Sequence, residues 1–485
     1  MAKVTLAERM LIGGELVEAI DGAWIESINP ADETVIGRVP RGSAADAARA
    51  VEAANAAFPA WAAISVAERA TAMRAFAARI SDLAEEFLRI EVLDTGNTVR
   101  PMRHDVKYSV DSLDYYAGLG YELKGETIPA STSGLHLTLR EPYGAVVRIT
   151  PFNHPLMFAV SRTAAALAAG NTVIVKPSET SPLSTALLAE VARETLPPGV
   201  FNIVTGLGGE AGDALVRHPG IRRIAFTGSV PTGMAIQRAA AEVSVKRVSL
   251  ELGGKNPFIA FPDCDPDEIA QAAVRGMNFT WQGQSCGSTS RLLVHESLHD
   301  AVVDRVAALV DAIRVGDPMS EDTDMGPINS AGQYRRVMSM IQMAKDDGAR
   351  LVSGGARPAG SDFTRGYWVR PTVFAGVEPN ARIAQQEVFG PVLSVIRWRT
   401  VEEAIAIANS TEFGLTAAIW THDIDRALST ARQVQSGHVW INDVSAHYPA
   451  VPFGGYRNSG VGNEESIEEL FSYTLTKAIN ISLRG

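Results

Sequence analysis

Cysteine is scarce in this sequence, because only Cys264 and Cys286 occur in 485 residues. Two thiols cannot build the disulfide framework of a small secreted protein, so we expect a reducing compartment. Cys264 is interpreted as a small buried apolar residue. Cys286 lies in WQGQSCGSTSRLLVH, between Gly283 and Gly287 and ahead of a strand-like run. That context suits a thiol open to a ligand, which makes Cys286 the first candidate for chemistry.

Long apolar runs and an excess of positive charge are also absent. No apolar run approaches the roughly 18 residues that a membrane-spanning helix needs. The opening MAKVTLAERMLIGGELVEAI has no apolar core followed by small residues, so no secretory leader is expected. The formal net charge is -11, whereas nucleic acids and anionic membranes attract basic surfaces. We therefore expect a cytoplasmic protein with neither of these partners.

The chain is long for a single hydrophobic core, which rarely exceeds about 250 to 300 residues, so two large domains are expected. Residues 43–61 and 65–92 are predicted as two helices. Each begins with a serine, Ser43 or Ser65, that is followed three residues later by an acid, as in a capping box. A third helical run leads into DSLDYYAGLG, where two glycines end it.

From residue 145 onward, short β-branched runs alternate with helical patterns. The runs are AVVRIT, TVIVKP, FNIVTG, RIAFTG and KRVSLELGG, with helices expected to start at Leu156, Leu183, Gly209 and Gly233. This alternation predicts a doubly wound parallel sheet, which binds ligands at the carboxyl ends of its strands. A second cycle over residues 256–442 predicts another such domain. LHLTLREP alternates like a half-exposed strand, and YTLTKAINISL is expected to end the chain as a lone strand.

Two glycine-rich segments join strands to helices. GLGGEA fits the spacing of a dinucleotide-binding turn, but no acid follows about 20 residues later to hold a ribose. In GSVPTG, the glycines Gly228 and Gly233 and the hydroxyl of Ser229 could let a pyrophosphate approach a helix N-terminus. A tight strand-to-helix turn explains each segment about equally well.

Four polar side chains follow predicted strand ends. Lys176 and Glu179 in VIVKPSE could meet an adenosine phosphate or ribose, although a solvated charged turn is an open alternative. Glu251 in LELGGK is a candidate general base, although about half of such strand-end acids are plain surface residues. Asn153, in the proline-flanked turn TPFNHP, carries an amide that can donate to an oxyanion.

Eight ordered motifs together resemble the aldehyde dehydrogenase superfamily over essentially the whole chain. They are PFNHP, VKPSE, FTGSVPTG, ELGGKNP, GQSCGS, EVFGPV, FGLTAAIW and PFGGYRNSG. The resemblance implies an α/β fold with two doubly wound α/β domains, a Rossmann-like cofactor domain and a catalytic domain, and a small β extension for oligomerisation. The implied boundaries are 1–122 with 144–252 for the cofactor domain, 253–458 for the catalytic domain, and 123–143 with 459–485 for the oligomerisation segments.

The resemblance also implies a role for each matching residue. Cys286 matches the nucleophile and Glu251 the base, and Asn153 with the Cys286 backbone N–H matches the oxyanion hole. The cofactor is NAD, with NADP as the alternative, and its matching contacts are Phe152, Lys176, Glu179, Gly228, Ser229, Gly233, Glu387 and Phe389. The matching substrate-pocket positions are Tyr108, His154, His447 and Phe453, with Tyr448 beside them. No metal site is assigned.

The implied reaction oxidises a small aldehyde to its acid through a cysteine thiohemiacetal and thioester. A CoA-acylating relative is the near alternative, but there the Glu of ELGG is replaced, whereas Glu251 is present. A non-catalytic relative is disfavoured because the thiol and the amide are retained. A cysteine hydrolase would need a histidine near the thiol, and His154 keeps that alternative open.

Three positions depart from the usual family pattern. His154 stands where an apolar aromatic residue is common, His447 occupies a second pocket position, and Arg457 replaces a common Lys. Because histidine can pair with a hydroxyl or a carboxylate, we expect an aldehyde with a polar or aromatic tail. The alternating strands near 133–141 and 473–483 predict a homodimer or homotetramer, in which a partner chain covers them.

Overall fold

The structure is a computed structural model that describes residues 9–483. Its strands are β1 Met10–Ile12, β2 Glu15–Val17, β3 Trp24–Ile28, β4 Val35–Pro40, β5 Thr127–Ile128, β6 Gly134–Pro142, β7 Ala145–Ile149, β8 Thr172–Lys176, β9 Phe201–Ile203, β10 Arg223–Thr227, β11 Arg247–Glu251, β12 Pro257–Ala260, β13 Arg291–His295, β14 Arg350–Ser353, β15 Thr372–Ala375, β16 Val392–Trp398, β17 Thr416–Trp420, β18 His438–Ile441, β19 Gly460–Val461 and β20 Thr474–Ser482. Its α-helices are α1 Ala44–Ala63, α2 Val66–Asp82, α3 Ala84–Thr95, α4 Val99–Leu119, α5 Pro155–Ala168, α6 Leu183–Thr195, α7 Asp213–Arg217, α8 Val230–Val243, α9 Pro266–Gly276, α10 His299–Asp311, α11 Ala331–Asp346, α12 Arg382–Gln385, α13 Val401–Ala408, α14 Ile424–Ala431 and α15 Ile467–Ser472.

The first large sheet has the order β19-β11-β10-β7-β8-β9-β1-β2, and its five central strands are parallel. Neighbouring residues of one strand pack into different cores, because side chains alternate across a sheet. Val146 of β7 packs with α2, α5 and α6, whereas Val147 packs with α1, α7 and α8. Helices therefore cover both faces, which confirms the predicted doubly wound sheet.

The second large sheet has the order β14-β15-β16-β13-β12-β17-β18 and is parallel except for the edge strand β14. Its cores are again split between the two faces. Ile259 packs with α11 and α13, and the adjacent Phe258 packs with α9 and α10. The prediction of a second doubly wound unit is confirmed.

A three-stranded antiparallel sheet, β20-β6-β5, corrects the expectation of a lone final strand. β20 pairs with β6 along its full length, from Thr474 opposite Pro142 to Ser482 opposite Gly134. More than 300 residues separate the two strands in sequence, so nothing local could reveal the pairing. Leu135, Leu139 and Ile481 of this sheet remain exposed.

Several helix boundaries differ from the sequence patterns. The single helix predicted over residues 65–92 is wrong, because the chain leaves helical geometry at Leu83 and begins a new helix at Ala84. Both predicted capping boxes are present. The helix expected from Gly209 starts at Asp213 after one wide turn, and the helix expected from Gly233 starts at Val230.

Two further observations concern the predicted segments. β19, inside the range 459–485, pairs with β11 and so joins the first large sheet rather than the small one. Within residues 9–483, no helix combines the length and apolar character needed to cross a membrane.

The strand order brings several candidate residues to one edge of the first sheet. Ile149 at the end of β7 lies opposite Lys176 at the end of β8, and Thr227 at the end of β10 lies opposite Glu251 at the end of β11. Because these strands are parallel, the segments that follow them emerge side by side.

Candidate active site

A cleft of about 880 Å³ lies where residues from both large sheets meet. The predicted catalytic and pocket residues that line it are Tyr108, Asn153, His154, Glu251, Cys286, His447 and Phe453. They come from α4, from the ends of β7 and β11, from the loop before β13 and from the segment after β18. The fold therefore brings together side chains that are up to 345 residues apart in sequence (453 minus 108).

The loop that carries Cys286 has an unusual backbone. Asn278, Gln282 and Gly283 adopt left-handed φ angles of 56°, 53° and 65°. A Cβ atom at Gly283 would lie 2.3 Å from the carbonyl oxygen of Gly390, so only glycine fits there. Asn256 fixes the next turn of the loop, since its Nδ2 donates to the carbonyl of Cys286 at 2.7 Å and to that of Ser288 at 2.9 Å.

The Cys286 thiol is in a setting that disfavours the thiolate. Burial, together with the nearby carboxyl groups of Glu251 and Glu387, raises the pKa of Cys286 to about 12. The protein alone therefore holds a neutral thiol at neutral pH.

Glu251 is the last residue of β11, and 5% of it is exposed. Its Oε2 is buried and has no hydrogen-bond partner among residues 9–483. Burial raises the pKa of Glu251 well above its ordinary value, Glu464 adds to the rise, and Arg162 opposes it. Once ionised, such a carboxylate is a stronger base than an exposed glutamate.

Asn153 follows β7 in a buried turn. Its side-chain Nδ2 donates to the carbonyl of Gln284 at 2.9 Å, two residues before Cys286. Asn97 holds the turn from behind, because its own Nδ2 donates to the backbone carbonyl of Asn153 at 2.8 Å. A primary amide has two N–H groups, so Asn153 keeps one donor for a ligand in the cleft. Sequence reasoning missed Asn97 and Gln284.

Both predicted pocket histidines bind buried carboxylates. His154 Nδ1 lies 2.6 Å from Asp105 Oδ2, and His447 Nδ1 lies 3.0 Å from Glu465 Oε2. The expectation for Tyr448 is wrong, because this residue is 52% exposed, does not line the cleft and donates its hydroxyl to Asp443 instead.

Two buried arginines and two buried glutamates form an ion network behind the cleft. Arg148 Nη1 lies 2.6 Å from Glu464 Oε1, and Arg162 bridges Glu464 at 2.9 Å and Glu465 at 2.5 Å. The paired acids in the sequence GNEES were the available signal, but a local pattern does not separate a buried acidic pair from a solvated one.

At the predicted adenosine side, the residues lie at or beyond the ends of β8 and β10, the two strands that flank β7 in the first large sheet. Lys176 is buried and its Nζ binds Glu179 Oε2 at 3.1 Å. Gly228 and Ser229 directly precede α8, and the Ser229 side chain makes no capping hydrogen bond to that helix. Gly233 packs on Leu252, where a Cβ would lie 2.9 Å from the leucine Cδ2.

At the opposite side of the predicted cofactor site, Glu387 and Phe389 lie near the cysteine loop. They share a small second pocket with Ser285. Glu387 Oε1 accepts a hydrogen bond from the Gly254 backbone at 2.9 Å. Phe152 and Phe389 meet edge to face with ring centroids 5.6 Å apart. Burial raises the pKa of Glu387 to about 7.

Comparison with known proteins shows which family shares this arrangement. The sequence model of the Aldehyde dehydrogenase family matches residues 17–479. The chain belongs to the aldehyde dehydrogenase family. It is 46% identical over 480 residues to Aldehyde dehydrogenase tropH of Talaromyces stipitatus, covering 96% of this chain and 93% of that protein.

Two further relatives extend the comparison of this aldehyde dehydrogenase. The chain is 40% identical to the hydroxyisobutyraldehyde dehydrogenase of Mycolicibacterium austroafricanum, covering 98% and 94% of the two chains. The crystal structure of betaine aldehyde dehydrogenase from Staphylococcus aureus in complex with NAD+ superposes with a TM-score of 0.97 at 36% identity, covering 99% and 96%. Family and fold together support aldehyde oxidation as the activity.

Arg457, a departure from the family's common lysine, has a structural explanation in this aldehyde dehydrogenase. Its Nη1 donates to the backbone carbonyls of Asn409 at 2.7 Å and Thr411 at 2.6 Å. Arg457 thus ties the loop before β19 to the end of α13 through Nη1, while its Nη2 donates to Gln435 Oε1.

Proposed function

We propose that this aldehyde dehydrogenase oxidises its aldehyde by the hydrolytic route, with NAD as the oxidant. The observation that carries the proposal is that Cys286, Glu251 and Asn153 all line one cleft. Each supplies a different part of acyl chemistry: a nucleophile, a base and an oxyanion donor.

Cys286 first loses its proton to a water molecule, and its thiolate then attacks the carbonyl carbon and forms a thiohemiacetal. The second N–H of Asn153 and the backbone N–H of Cys286 donate to the oxygen that gains negative charge. One such donor is typically worth about 2.7 to 4 kcal/mol of the barrier. The hydrogen bond from Asn153 to the Gln284 carbonyl orients the amide for this task.

The residues present fit a dinucleotide. Backbone N–H groups at the start of α8, with no serine cap occupying them, suit a pyrophosphate. Glu179 and Glu387 suit the hydroxyls of the two riboses. Phe152 and Phe389, whose rings meet edge to face, would form a wall of this site. When bound, the nicotinamide supplies the hydride acceptor that turns the thiohemiacetal into a thioester.

Glu251 completes the proposed reaction. Its carboxylate takes a proton from a water molecule, which then attacks the thioester carbon and releases the carboxylic acid and the Cys286 thiolate. The raised pKa of Glu251 suits this step, because a stronger base removes the proton more readily. Retention of Glu251 in the cleft supports water, rather than CoA, as the acyl acceptor.

Replacing Cys286 by alanine tests the nucleophile. We expect kcat to fall by roughly 10³-fold or more while NAD still binds, because the proposed dinucleotide contacts lie elsewhere. NADH absorbance measures turnover, and fluorescence titration measures cofactor binding. Cys264→Ala, at the buried thiol outside the cleft, is the control and should keep activity. Substantial oxidation by the Cys286 variant would remove the thiol from the mechanism.

Glu251→Gln tests the base. We expect one rapid turnover of NADH followed by a stall, because the thioester forms but is not hydrolysed. Stopped-flow absorbance should show a burst of about one equivalent per active site. A variant with normal steady-state turnover contradicts the assignment.

Glu179 supports a preference for NAD over NADP. Its carboxylate is held by the buried Lys176, and at that position it would accept from a free 2'-hydroxyl and repel a 2'-phosphate. We expect kcat/KM for NAD to exceed kcat/KM for NADP by about tenfold or more. The substitution Glu179→Gln should lower this ratio of NAD to NADP. Equal kcat/KM values in the wild type would show that Glu179 does not discriminate.

A homodimer or homotetramer is part of the proposal, because the sheet β20-β6-β5 leaves Leu135, Leu139 and Ile481 exposed. Covering such a sheet by a second copy would bury these side chains. Leu139→Asp should therefore lower the molar mass measured by light scattering at micromolar concentration. The control Val35→Asp, at a still more exposed apolar residue of β4, should leave the molar mass unchanged. A wild-type monomer would contradict the proposed assembly.

The proposed substrate is a small aldehyde with a polar or aromatic tail. His154, His447 and Tyr108 provide polar groups along the cleft, beside the rings of Phe158 and Trp281. The relative from Mycolicibacterium austroafricanum is named for an aldehyde that bears a hydroxyl, which agrees with such a tail. Matched aldehydes that differ only in the polar group test this preference.

A further inference from the structure

Two carboxylate–imidazole pairs enter the cleft from different elements of the fold. In the first, His154 ahead of α5 binds Asp105 of α4, whose exposed fraction is 2%. In the second, His447 in the segment after β18 binds Glu465, whose exposed fraction is 5%. Neither acid was among the residues predicted from the sequence.

The pairing fixes which ring nitrogen faces a ligand. A carboxylate can only accept, so the proton of each neutral imidazole lies on Nδ1 and Nε2 carries a lone pair. Nε2 of His154 and of His447 makes no hydrogen bond within residues 9–483, and neither atom is sealed inside the protein. Both histidines line the cleft, so both accessible nitrogens are available to a substrate.

The charges of the cleft disfavour a tail that is itself an anion. Four carboxyl groups line it, those of Asp105, Glu251, Glu464 and Glu465. Arg162 is the one permanently charged cation among the lining residues that the structure describes, and Glu464 and Glu465 already bind its guanidinium. A carboxylate tail would therefore find acceptors and negative charge, but no unpaired cation.

The walls between the two pairs are aromatic. The His154 ring lies 5.4 Å from Trp281 and 5.9 Å from Phe158, and the His447 ring lies 4.8 Å from Phe453, measured between centroids. Flat rings spaced in this way suit a planar tail that stacks or meets them edge-on.

We propose that the two carboxylate–imidazole pairs make this cleft selective for aldehydes with a planar tail that ends in a neutral hydroxyl, and that they discriminate against a terminal carboxylate. A hydroxyl donates to the Nε2 lone pair, whereas a carboxylate has no proton to donate. Asp105 and Glu465 are positioning residues that act through the histidines. The inference rests on the proposed function and names the substrate class of the same site.

Benzaldehydes that carry one of three nearly isosteric substituents test the selectivity of the wild-type enzyme with NAD. The substituents are hydroxymethyl, ethyl and carboxylate, and each is placed at ring position 3 or 4. We expect kcat/KM for the better hydroxymethyl isomer to exceed the values for its ethyl and carboxylate counterparts by about tenfold or more, because an unpaired polar partner is costly. Carboxylate or ethyl compounds that equal the hydroxymethyl compound would overturn the proposal.

Variants of each pair separate hydrogen bonding from packing. Asp105→Asn keeps the shape of the side chain but no longer fixes the Nδ1 proton, and His447→Gln removes the second imidazole. At least one of the two should cut the hydroxymethyl-to-ethyl ratio of kcat/KM by roughly fivefold. An unchanged ratio in both variants would overturn the proposal.

His104→Gln is the matched control. His104 also lines the cleft from α4, but it makes no hydrogen bond to a carboxylate among residues 9–483, so the ratio should not change. A fall equal to that of Asp105→Asn would show that general cleft polarity sets the ratio, and would also overturn the proposal.

If wild type oxidises none of the aldehydes, the proposed function fails. If it oxidises all three at similar rates, only the tail selectivity fails.

Should Asp105→Asn not fold, His447→Gln alone decides the outcome, because His447 is 35% exposed in its side chain and its replacement disturbs little packing. Thermal melting monitored by circular dichroism checks that each variant is folded before kinetics. An intact melt with an unchanged ratio counts against the proposal.

Discussion

The site depends on the short link between β11 and β12. Glu251 ends a strand of the first large sheet, Asn256 directly precedes a strand of the second, and residues 252–255 alone separate them. Because Asn256 donates to the backbone carbonyl of Cys286, the cysteine loop is tied to a point five residues beyond the proposed base. A covalent tether and one partly buried hydrogen bond thus hold the Cys286 loop relative to Glu251, and the other elements supply the proposed oxyanion donor and the walls.

The pairing of β19 with β11 places further acidic residues beside the site. β19 pairs with β11, so that Gly460 lies opposite Glu251, and Glu464 and Glu465 follow a few residues later. Burying these acids is unfavourable unless they are paired, and Arg148 and Arg162 provide the partners. Removing Arg162 would leave Glu464 with Arg148 alone and Glu465 with His447 alone. The strand that carries the proposed base therefore also positions the acids that raise its pKa.

Residues at strand ends were predictable from the sequence because a parallel sheet gathers its carboxyl ends at one edge. Glu251 and Lys176 could be placed in this way. Their partners could not, since Asp105 meets His154 only through the packing of α4 on α5, which no local pattern encodes. The break at Leu83 contains neither glycine nor proline. The hydrophobic periodicity of the sequence therefore predicted one helix where the structure has two. The roles assigned to the site residues and the domain boundaries stay predictions.

The negative charge of the cleft acts both on the Cys286 thiol and on the tail of a bound substrate. Burial raises the pKa of Cys286 and the nearby carboxyl groups add to the rise, so a free thiolate is disfavoured until other charges enter. A ligand that brought a further negative charge would deepen this effect, because its field would act on the thiol as well as on Glu251. A neutral tail leaves the thiol as it is. On the proposed mechanism, a cleft that disfavours anionic tails also preserves the reactivity of its proposed nucleophile, so selectivity and chemistry favour the same substrate class.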